Sequence, residues 1–308
     1  MELLLQIGLL VIGFTMLVKG ADYFVGSAVC IADRFKIPPI IIGLTIVAMG
    51  TSAPEAAVSI TSAFQGAADI TVGNIVGSNI MNVLVILGIS AAIIPLAVTK
   101  STIRVDLPFL AGITALLLVL GLDGTISFFN GLILIACFVT YILYLIIRAM
   151  RYSAEHTEEV TTMSMKKAVP LLVLGMVLIV LGSNFAVDAA TAIARILGMS
   201  ERTIGLTIVA LGTSLPELFT SVAAAIKGNA DIAVGNIVGS NIFNILFVIG
   251  LSSLIIPVPF AKPFIIDMII CLAISVFLFV LCKAKHKVPR WAGFTMLAGY
   301  AAYMLYLL

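Results

Sequence analysis

Two glutamates lie deep inside apolar stretches of the chain, each directly after a proline. Glu55 closes the segment GTSAPE at residues 50–55, and Glu217 closes GTSLPE at residues 212–217. A charge at the centre of a bilayer costs at least ~2.5–3.5 kcal/mol on insertion scales, whereas a helix cap stabilises by only about 1 kcal/mol. Because capping alone does not offset that cost, both acids are predicted to bind a cation.

Neutral oxygens surround each glutamate in the sequence. Proline has no N–H and crowds the preceding helical turn, so we expect one helix to break at residues 50–52 and another at 212–216. The oxygens predicted at these breaks are the hydroxyls of Thr51, Ser52, Thr213 and Ser214, beside freed carbonyls at 48–50 and 210–212. Such oxygens suit a hard cation such as Ca²⁺, which takes about six to eight of them. The sequence places no thiol or imidazole near either motif, which disfavours zinc and copper.

A polar stripe follows each predicted break. Its side chains recur every four residues and therefore share one face of a helix. The first stripe holds Asn74, Ser78 and Asn82, and the second holds Asn236, Ser240 and Asn244. Their amide and hydroxyl oxygens would complete the coordination shells.

Two structural alternatives stay open for these motifs. Ser52-x-x-Glu55 and Ser214-x-x-Glu217 both fit a helix capping box, in which serine and glutamate bond to the backbone. The GNIVG segments beside the stripes fit a packing seam, since paired small residues let two helices approach closely. The asparagines and serines would then serve only as hydrogen bonds between helices.

The composition is that of a membrane protein. The chain has 308 residues, of which 62% are hydrophobic and only 10% are charged, against about 25% in soluble proteins. Its net charge of +2 gives no sign of nucleic-acid binding. The N-terminus is interpreted as the first membrane helix rather than a signal peptide. The four cysteines and two histidines lack metal-ligand spacing, and we expect free thiols and solvated loop histidines.

Apolar runs of about membrane-spanning length predict ten transmembrane helices. Their approximate spans are 2–18, 38–64, 69–97, 103–122, 127–149, 168–190, 203–226, 231–257, 263–282 and 290–308. Residues 150–167 form the one sizeable polar connector, which we interpret as a cytoplasmic linker. Placing both termini outside puts fourteen Lys and Arg on the cytoplasmic side and three on the other, which agrees with the positive-inside rule.

The two halves of the chain repeat each other. A shift of 162 residues aligns 41–82 with 203–244, where 28 of 42 positions are identical. Each half, 1–149 and 168–308, holds five predicted helices. Since five is odd, the second copy must insert upside down, and the expected fold is all-α with two inverted five-helix repeats. Inverted repeats with interrupted helices are typical of secondary transporters, whose site lies between the repeats.

The paired GTSxPE and GNxxGSNIxN motifs resemble the calcium/cation antiporter superfamily, especially the prokaryotic sodium/calcium exchangers. The resemblance covers essentially the whole chain. It implies four clustered cation sites built by helices two, three, seven and eight, with helices one and six sliding as a gating pair. It also implies that Ca²⁺ and Na⁺ share Glu55 and Glu217. By position, the other ligands are Thr51, Thr213, Ser52, Ser214, Ser78 and Ser240, with carbonyls from Ala48 and Ala210.

One position departs from part of that superfamily. Some members have an aspartate where this chain has Asn244, and in the potassium-dependent branch that aspartate is associated with the potassium requirement. Here both stripes end in asparagine, Asn82 and Asn244. The resemblance therefore favours exchange that does not need potassium.

The predicted function is Na⁺/Ca²⁺ antiport across the cytoplasmic membrane by alternating access, in a protein that is not an enzyme, uses no cofactor and works as a monomer. The two carboxylates carry a charge of about −2, which either Ca²⁺ or Na⁺ could neutralise. Ca²⁺/H⁺ antiport remains the main alternative, with the glutamates binding protons instead of Na⁺. An intramembrane hydrolase that uses the glutamates as an acid/base pair and a passive channel are further alternatives.

Overall fold

The structure is a computed structural model that describes residues 2–155, 163–199 and 210–307. Almost all of these residues are helical. In chain order the helices are α1 (Glu2–Arg34), α2 (Pro39–Ile42), α3 (Ala48–Thr51), α4 (Ala53–Phe64), α5 (Asp69–Met81), α6 (Gly88–Ile93), α7 (Leu107–Leu120), α8 (Phe128–Glu155), α9 (Met165–Ile196), α10 (Ala210–Gly212), α11 (Leu215–Ile226), α12 (Ala230–Phe243), α13 (Gly250–Ile255), α14 (Lys262–Lys285) and α15 (Arg290–Leu307).

In the part of the chain that the structure describes, four short π-helical segments interrupt or precede these helices. They are π1 (Gly43–Val47), π2 (Asn82–Leu87), π3 (Thr102–Asp106) and π4 (Asn244–Ile249). The shift of 162 residues that relates the two halves carries π2 onto π4. Wide turns of this kind are frequent at functional sites, and the sequence patterns did not predict them.

Within the described ranges, seven helices are long and apolar enough to cross a membrane, or eight if the bent pair Pro39–Thr51 and Ala53–Phe64 counts as one span. The structure is thus an all-helical membrane protein. Two predicted spans are not in that count. The run 203–226 begins outside the described residues and leaves the 12-residue α11, and the run 290–308 corresponds to the 18-residue α15.

The predicted ends of the first and sixth spans are wrong. Instead of ending at residue 18, α1 continues for 33 residues to Arg34, and α9 covers 32 residues instead of 168–190. A helix of 33 residues is about 50 Å long, which exceeds the ~30 Å hydrocarbon core. Neither helix can therefore fit at full length within the hydrocarbon core along the membrane normal. Helices α8 and α9 also extend into the predicted linker 150–167, as far as Glu155 and from Met165.

Helices α1 and α9 cross in opposite directions along a seam of glycines. A Cβ added to Gly13 would lie 2.8 Å from the carbonyl oxygen of Gly182, and one added to Gly20 would lie 2.8 Å from that of Gly175. The shift of 162 residues turns Gly13 into Gly175 and Gly20 into Gly182. The two contacts are therefore equivalent, and the two equivalent helices run antiparallel, as an inverted repeat requires.

Two central helices form the core of the molecule. In the continuous helix from Ile70 to Ile93, 78% of the residues in its 18-residue apolar stretch are buried. In the helix from Ala230 to Ile255, 94% of the corresponding stretch is buried. The corresponding share is 17–39% for the other five long helices. The polar stripes predicted from the sequence thus lie on the two helices that are farthest from lipid.

Two short antiparallel ladders tie the halves together at the helix ends. Strand β1 (Leu96–Ala97) pairs with β4 (Lys287–Val288), and β2 (Thr125–Ile126) pairs with β3 (Val258–Pro259). The 162-residue shift carries β1 onto β3 and β2 onto β4. Each ladder therefore joins a connector of the first half to one of the second, and the two ladders are equivalent.

Candidate cation site

Both predicted helix breaks are present. The first helix breaks at Ser52, where α3 ends and α4 begins, and the two parts are bent by 50°. The second breaks at Thr213 and Ser214, between α10 and α11. In both cases the proline occupies the first turn of the helix that follows, where its missing N–H costs nothing. The glutamates lie one residue farther on, at the start of α4 and α11.

The two glutamates are buried at the junction of the halves. Glu55 and Glu217 are each 1% exposed, and their carboxylates are close enough to interact electrostatically. Ser52 Oγ of the first motif donates a hydrogen bond to Glu217 Oε1 at 2.7 Å. The Glu55 carboxylate lies near Thr213 and Ser214 of the second motif in turn, although Ser214 Oγ makes no hydrogen bond to a described residue. Each acid thus faces the hydroxyls of the opposite motif.

These contacts contradict the capping-box interpretation. Ser52 and Ser214 do occupy the positions before α4 and α11, but neither makes a side-chain capping bond to described backbone. The hydroxyl of Ser52 is instead directed across the interface to Glu217. The serine–glutamate spacing therefore serves contacts between the halves.

Four asparagines form a closed network between the central helices. Asn82 Nδ2 donates to Asn241 Oδ1 at 2.9 Å, and Asn244 Nδ2 donates to Asn79 Oδ1 at 3.1 Å. Asn79 and Asn241 also donate their amides to each other's backbone carbonyl, at 3.3 and 3.2 Å. Every one of these bonds has its equivalent under the 162-residue shift. The network holds the two stripes in register.

Asn74 and Asn236 orient the helices that carry the glutamates. Asn74 Nδ2 donates to Ser59 Oγ at 3.0 Å, and Asn236 Nδ2 donates to Ser221 Oγ at 2.9 Å. The same amides lie 3.3 and 3.4 Å from the backbone carbonyls of the two glutamates. Asn236 Oδ1 also accepts a hydrogen bond from Thr51 Oγ1 at 3.0 Å. These asparagines therefore position the site.

The carbonyl of Ala48 is not freed as expected. It accepts the helical hydrogen bond from Ser52 N at 3.0 Å, because α3 stays regular up to Thr51. Its second lone pair is approached by Ser240 Oγ at 3.4 Å and by Thr51 Oγ1 at 3.3 Å. The carbonyl nevertheless lies beside two predicted ligand hydroxyls.

The site holds buried oxygens that lack a donor. Among the described residues, ten buried side-chain oxygen or nitrogen atoms have no hydrogen-bond partner, and five of them belong to predicted ligands. These five are Oε2 of Glu55 and of Glu217, Oδ1 of Asn82 and of Asn244, and Oγ of Ser214. Unsatisfied buried acceptors are costly, and a set made only of oxygens matches the preference of Ca²⁺ and Na⁺. The donor set therefore fits a hard cation.

Of the remaining predicted ligands, three hydroxyls lie within described segments and one carbonyl borders a gap in the described residues. Ser78 and Ser240 are both buried on the central helices, while Thr213 is half-buried. The predicted carbonyl of Ala210 belongs to the first residue described after the gap 200–209, at the start of α10. The first part of the predicted span 203–226 lies outside the described residues.

The packing-seam alternative holds for the second GNIVG segment, while the positions that would make the equivalent contacts with the first one lie outside the described residues. A Cβ on Gly235 would lie 2.9 Å from the carbonyl oxygen of Ile40, and one on Gly239 would lie 2.6 Å from that of Leu44. The first part of the broken helix therefore packs on the central helix of the opposite half. The second part, α4, is bonded to the central helix of its own half through Asn74. Because of the break at Ser52, the two parts of this helix contact the central helices of different halves.

Sequence reasoning missed Asn79 and Asn241. They lie outside the four-residue spacing of the predicted stripes, one position after Ser78 and Ser240. The doubled GSNIxN segment was the available signal, because both asparagines recur in it. The four cysteines are free, as expected, and no cluster of three or more metal-binding side chains of the His, Cys, Asp or Glu type occurs in the described part of the chain.

Comparison with known proteins identifies the group to which this arrangement belongs. The sodium/calcium exchanger protein family matches residues 5–147 and 167–308, which is nearly the whole chain. The chain belongs to the sodium/calcium exchanger family. It is therefore a membrane transporter and not an enzyme, and the resemblance seen in the motifs is confirmed.

Individual members of the family are similar over most of their length. Sodium/calcium exchanger MaX1 of Methanosarcina acetivorans is 32% identical, covering 97% of both chains. Putative antiporter CaxA of Alkalimonas amylolytica is 42% identical over 80% of this chain and 79% of its own. The solved structure of the sodium-calcium exchanger NCX_Mj superposes with a TM-score of 0.87 at 32% identity, covering 98% of this chain and 99% of that one.

Proposed function

We propose that this exchanger moves Ca²⁺ in one direction and Na⁺ in the other through a single site shared by Glu55 and Glu217. The observation that carries the proposal is that both carboxylates are fully buried, face each other's motif, and each keep one oxygen without a donor among the described residues. The two acids together supply a charge of about −2, which one Ca²⁺ would balance.

The same charge pair couples the two ions. Sodium ions would bind the carboxylates that Ca²⁺ vacates, so the two cations compete. With both glutamates ionised and no cation bound, closing the site would bury uncompensated charge, which is strongly unfavourable. The protein would then change its accessible side only when loaded, which makes transport an exchange rather than a leak.

The proposed ligands extend beyond the glutamates. Thr51, Ser52, Ser78 and Asn82, with their equivalents Thr213, Ser214, Ser240 and Asn244, would supply neutral oxygens, and Ala48 and Ala210 would supply carbonyls. The absence of a third carboxylate at Asn82 or Asn244 supports exchange that does not require K⁺.

The proposed architecture is ten transmembrane helices in two inverted five-helix halves, 1–149 and 168–308, joined by a cytoplasmic linker. Antiparallel α1 and α9 and the equivalent ladders support the inversion. With both termini outside the cytoplasmic membrane, fourteen of the seventeen Lys and Arg fall on the cytoplasmic side, in line with the positive-inside rule. A single chain contains both halves of the site, so a monomer would suffice.

The decisive experiment is Ca²⁺ uptake into proteoliposomes loaded with Na⁺, at clamped pH and with or without K⁺. Uptake should follow the Na⁺ gradient and be insensitive to K⁺. Glu55→Gln and Glu217→Gln should each abolish it, while Asp123→Asn, which removes an exposed acid in the turn after α7, should not. Uptake that needs a proton gradient and ignores Na⁺ would instead assign Ca²⁺/H⁺ antiport. Wild-type rates in either glutamine variant would exclude the site.

A further inference from the structure

A basic cavity lies between the start of α7 and the end of α14, and none of its lining residues is a predicted cation ligand. It has a volume of about 570 Å³ and is lined by Lys100, Ile103, Arg104, Pro108, Phe279, Lys283 and His286. Three of these side chains carry a positive charge, a fourth is histidine, and none is acidic. Among the ion pairs of the described residues, none involves Lys100, Arg104 or Lys283. The cavity therefore presents positive charge that no residue of the described part of the chain neutralises.

The walls of the cavity are built by fixed backbone. His286 ends α14 in the left-handed conformation, with φ of 52°, and its carbonyl accepts a hydrogen bond from Val98 N at 3.1 Å. The adjacent β1–β4 ladder joins the two connectors that border the cavity. The helix that continues as π3 and α7 begins at Lys100, so the positive end of its dipole adds to the charge of the side chains.

The cavity also has an apolar wall. Pro108 and Phe279 lie one helical turn from Arg104 and Lys283, toward the middle of their helices, and both helices are largely exposed, with 39% and 28% of their most apolar stretches buried. The ammonium of Lys283 lies 5.6 Å from the centre of the Phe279 ring, a distance at which the ring attracts it and limits its motion. Positive charge at the helix ends next to an apolar wall is complementary to a lipid, whose anionic headgroup is followed by apolar acyl chains.

We infer that this cavity binds the phosphate of an anionic phospholipid in the leaflet on the His286 side of the membrane. Basic pockets between transmembrane helices are suited to such headgroups. The phosphate would accept hydrogen bonds from Arg104 and Lys283, and the glycerol and first methylenes would lie against Phe279 and Pro108. The equivalent positions of the other half, Lys262, Ile266, Gly121 and Gly124, hold one basic residue instead of four, so the site would exist on one side only.

Native mass spectrometry of delipidated protein tests the inference. Wild-type protein should retain phosphatidylglycerol in preference to phosphatidylcholine. The variant Arg104→Ala/Lys283→Ala should bind phosphatidylglycerol about thirtyfold more weakly, since each basic side chain near an anionic surface contributes on the order of 1 kcal/mol. The matched control is Lys285→Ala/Lys287→Ala, which removes the same charge from exposed residues outside the cavity and should change binding less than twofold.

Several outcomes would overturn the inference. Equal loss of lipid in the two double variants would assign the binding to general surface charge. Inorganic phosphate that displaces the lipid at equal concentration would assign a soluble anion as the ligand. Equal retention of phosphatidylcholine would remove the role of the headgroup charge. Size-exclusion profiles and thermal unfolding of all variants must match those of the wild type, and a double variant that fails to fold is replaced by Arg104→Gln, for which about fivefold weaker binding is expected.

Discussion

Asn79 and Asn241 each donate a side-chain amide hydrogen bond to the other's backbone carbonyl, at 3.3 and 3.2 Å. The two residues are equivalent under the shift that relates the halves, and both are 1% exposed. Their oxygens accept from Asn244 and Asn82, which are themselves predicted ligands. The contact that joins the halves is therefore also the contact that orients part of the site.

This reciprocity predicts strong coupling between the two residues. Asn79→Ala and Asn241→Ala should each destabilise the protein, and the double variant should cost less than the sum. Hydrogen bonds between membrane helices couple by about 0.6 kcal/mol on average and at most about 1.7 kcal/mol, and we expect a value in the upper part of that range. A double-mutant cycle of unfolding in mixed micelles measures it, and strictly additive effects would contradict the prediction. Asn130→Ala, which removes a single bond to Leu120 on the periphery, is the control.

The hydroxyl of Ser52 should matter to cation affinity more than to stability. Ser52→Ala removes the donor to Glu217 Oε1, and a hydrogen bond to a charged group contributes about 1.5–3 kcal/mol. We expect the Ca²⁺ concentration for half-maximal exchange to rise at least about tenfold. Ser275→Ala is the control, since this buried serine on α14 bonds only to Cys271 of its own helix. Similar kinetics in the two variants would show that the bond to Glu217 is not used.

The glycine seam predicts that alanine at Gly13 and alanine at Gly8, both on α1, have different effects on stability. A Cβ on Gly13 would lie 2.7 Å from the backbone nitrogen of Ala186, so Gly13→Ala should force α1 and α9 apart at a cost of about 1–3 kcal/mol. At Gly8 no described atom lies within 4 Å of the added carbon. Gly8→Ala should be neutral or slightly stabilising, because alanine favours helix. Thermal unfolding in detergent compares them, and equal melting temperatures would contradict the close approach.

A buried ion pair outside the cation site, between Asp106 and Arg148, leads to a prediction about stability. Asp106 is fully buried, and its carboxylate accepts hydrogen bonds from Arg148 Nη1 and the Tyr141 hydroxyl, both at 3.1 Å. Arg148 is also bonded to Ser101. Arg148→Ala should destabilise the protein by about 3–5 kcal/mol, because it strands a buried charge.

Removing both charges should reverse most of that loss. In Asp106→Leu/Arg148→Met no carboxylate is left without a partner, and buried pairs replaced by apolar side chains are often neutral in stability. The unfolding midpoint of the double variant should therefore lie above that of Arg148→Ala. A midpoint at or below that of the single variant would mean that the pair itself stabilises the fold.

Local chemistry explains what could be predicted from the sequence. The two breaks follow from Pro54 and Pro216, whose effect on a helix needs no knowledge of the fold. The burial of Glu55 and Glu217 follows from the apolar runs around them. The wide turns π2 and π4 could not be predicted in this way, since they begin at Asn82 and Asn244 within sequences that also suit an ordinary helix.

Relations between distant segments explain what was missed. The asparagine network depends on the register between the central helices, which the spacing within one helix does not contain. The contact between α1 and α9 depends on the approach of Gly13 to Gly182 and of Gly20 to Gly175, which the spacing within α1 does not contain. In both cases the determining partner lies about 160 residues away, since Asn79 and Asn241 are 162 positions apart.

The paired contacts have a consequence for how the molecule could be assembled. Several contacts between the halves are reciprocal: Gly13 lies against Gly182, the equivalent of Gly20, and Gly20 lies against Gly175, the equivalent of Gly13. An interface with this property is isologous, the kind that two identical subunits form about a two-fold axis. Each half therefore already presents a surface complementary to its own copy. The connector at residues 150–167 joins the two halves covalently. They therefore pair within one chain, whereas two separate chains would have to meet by diffusion.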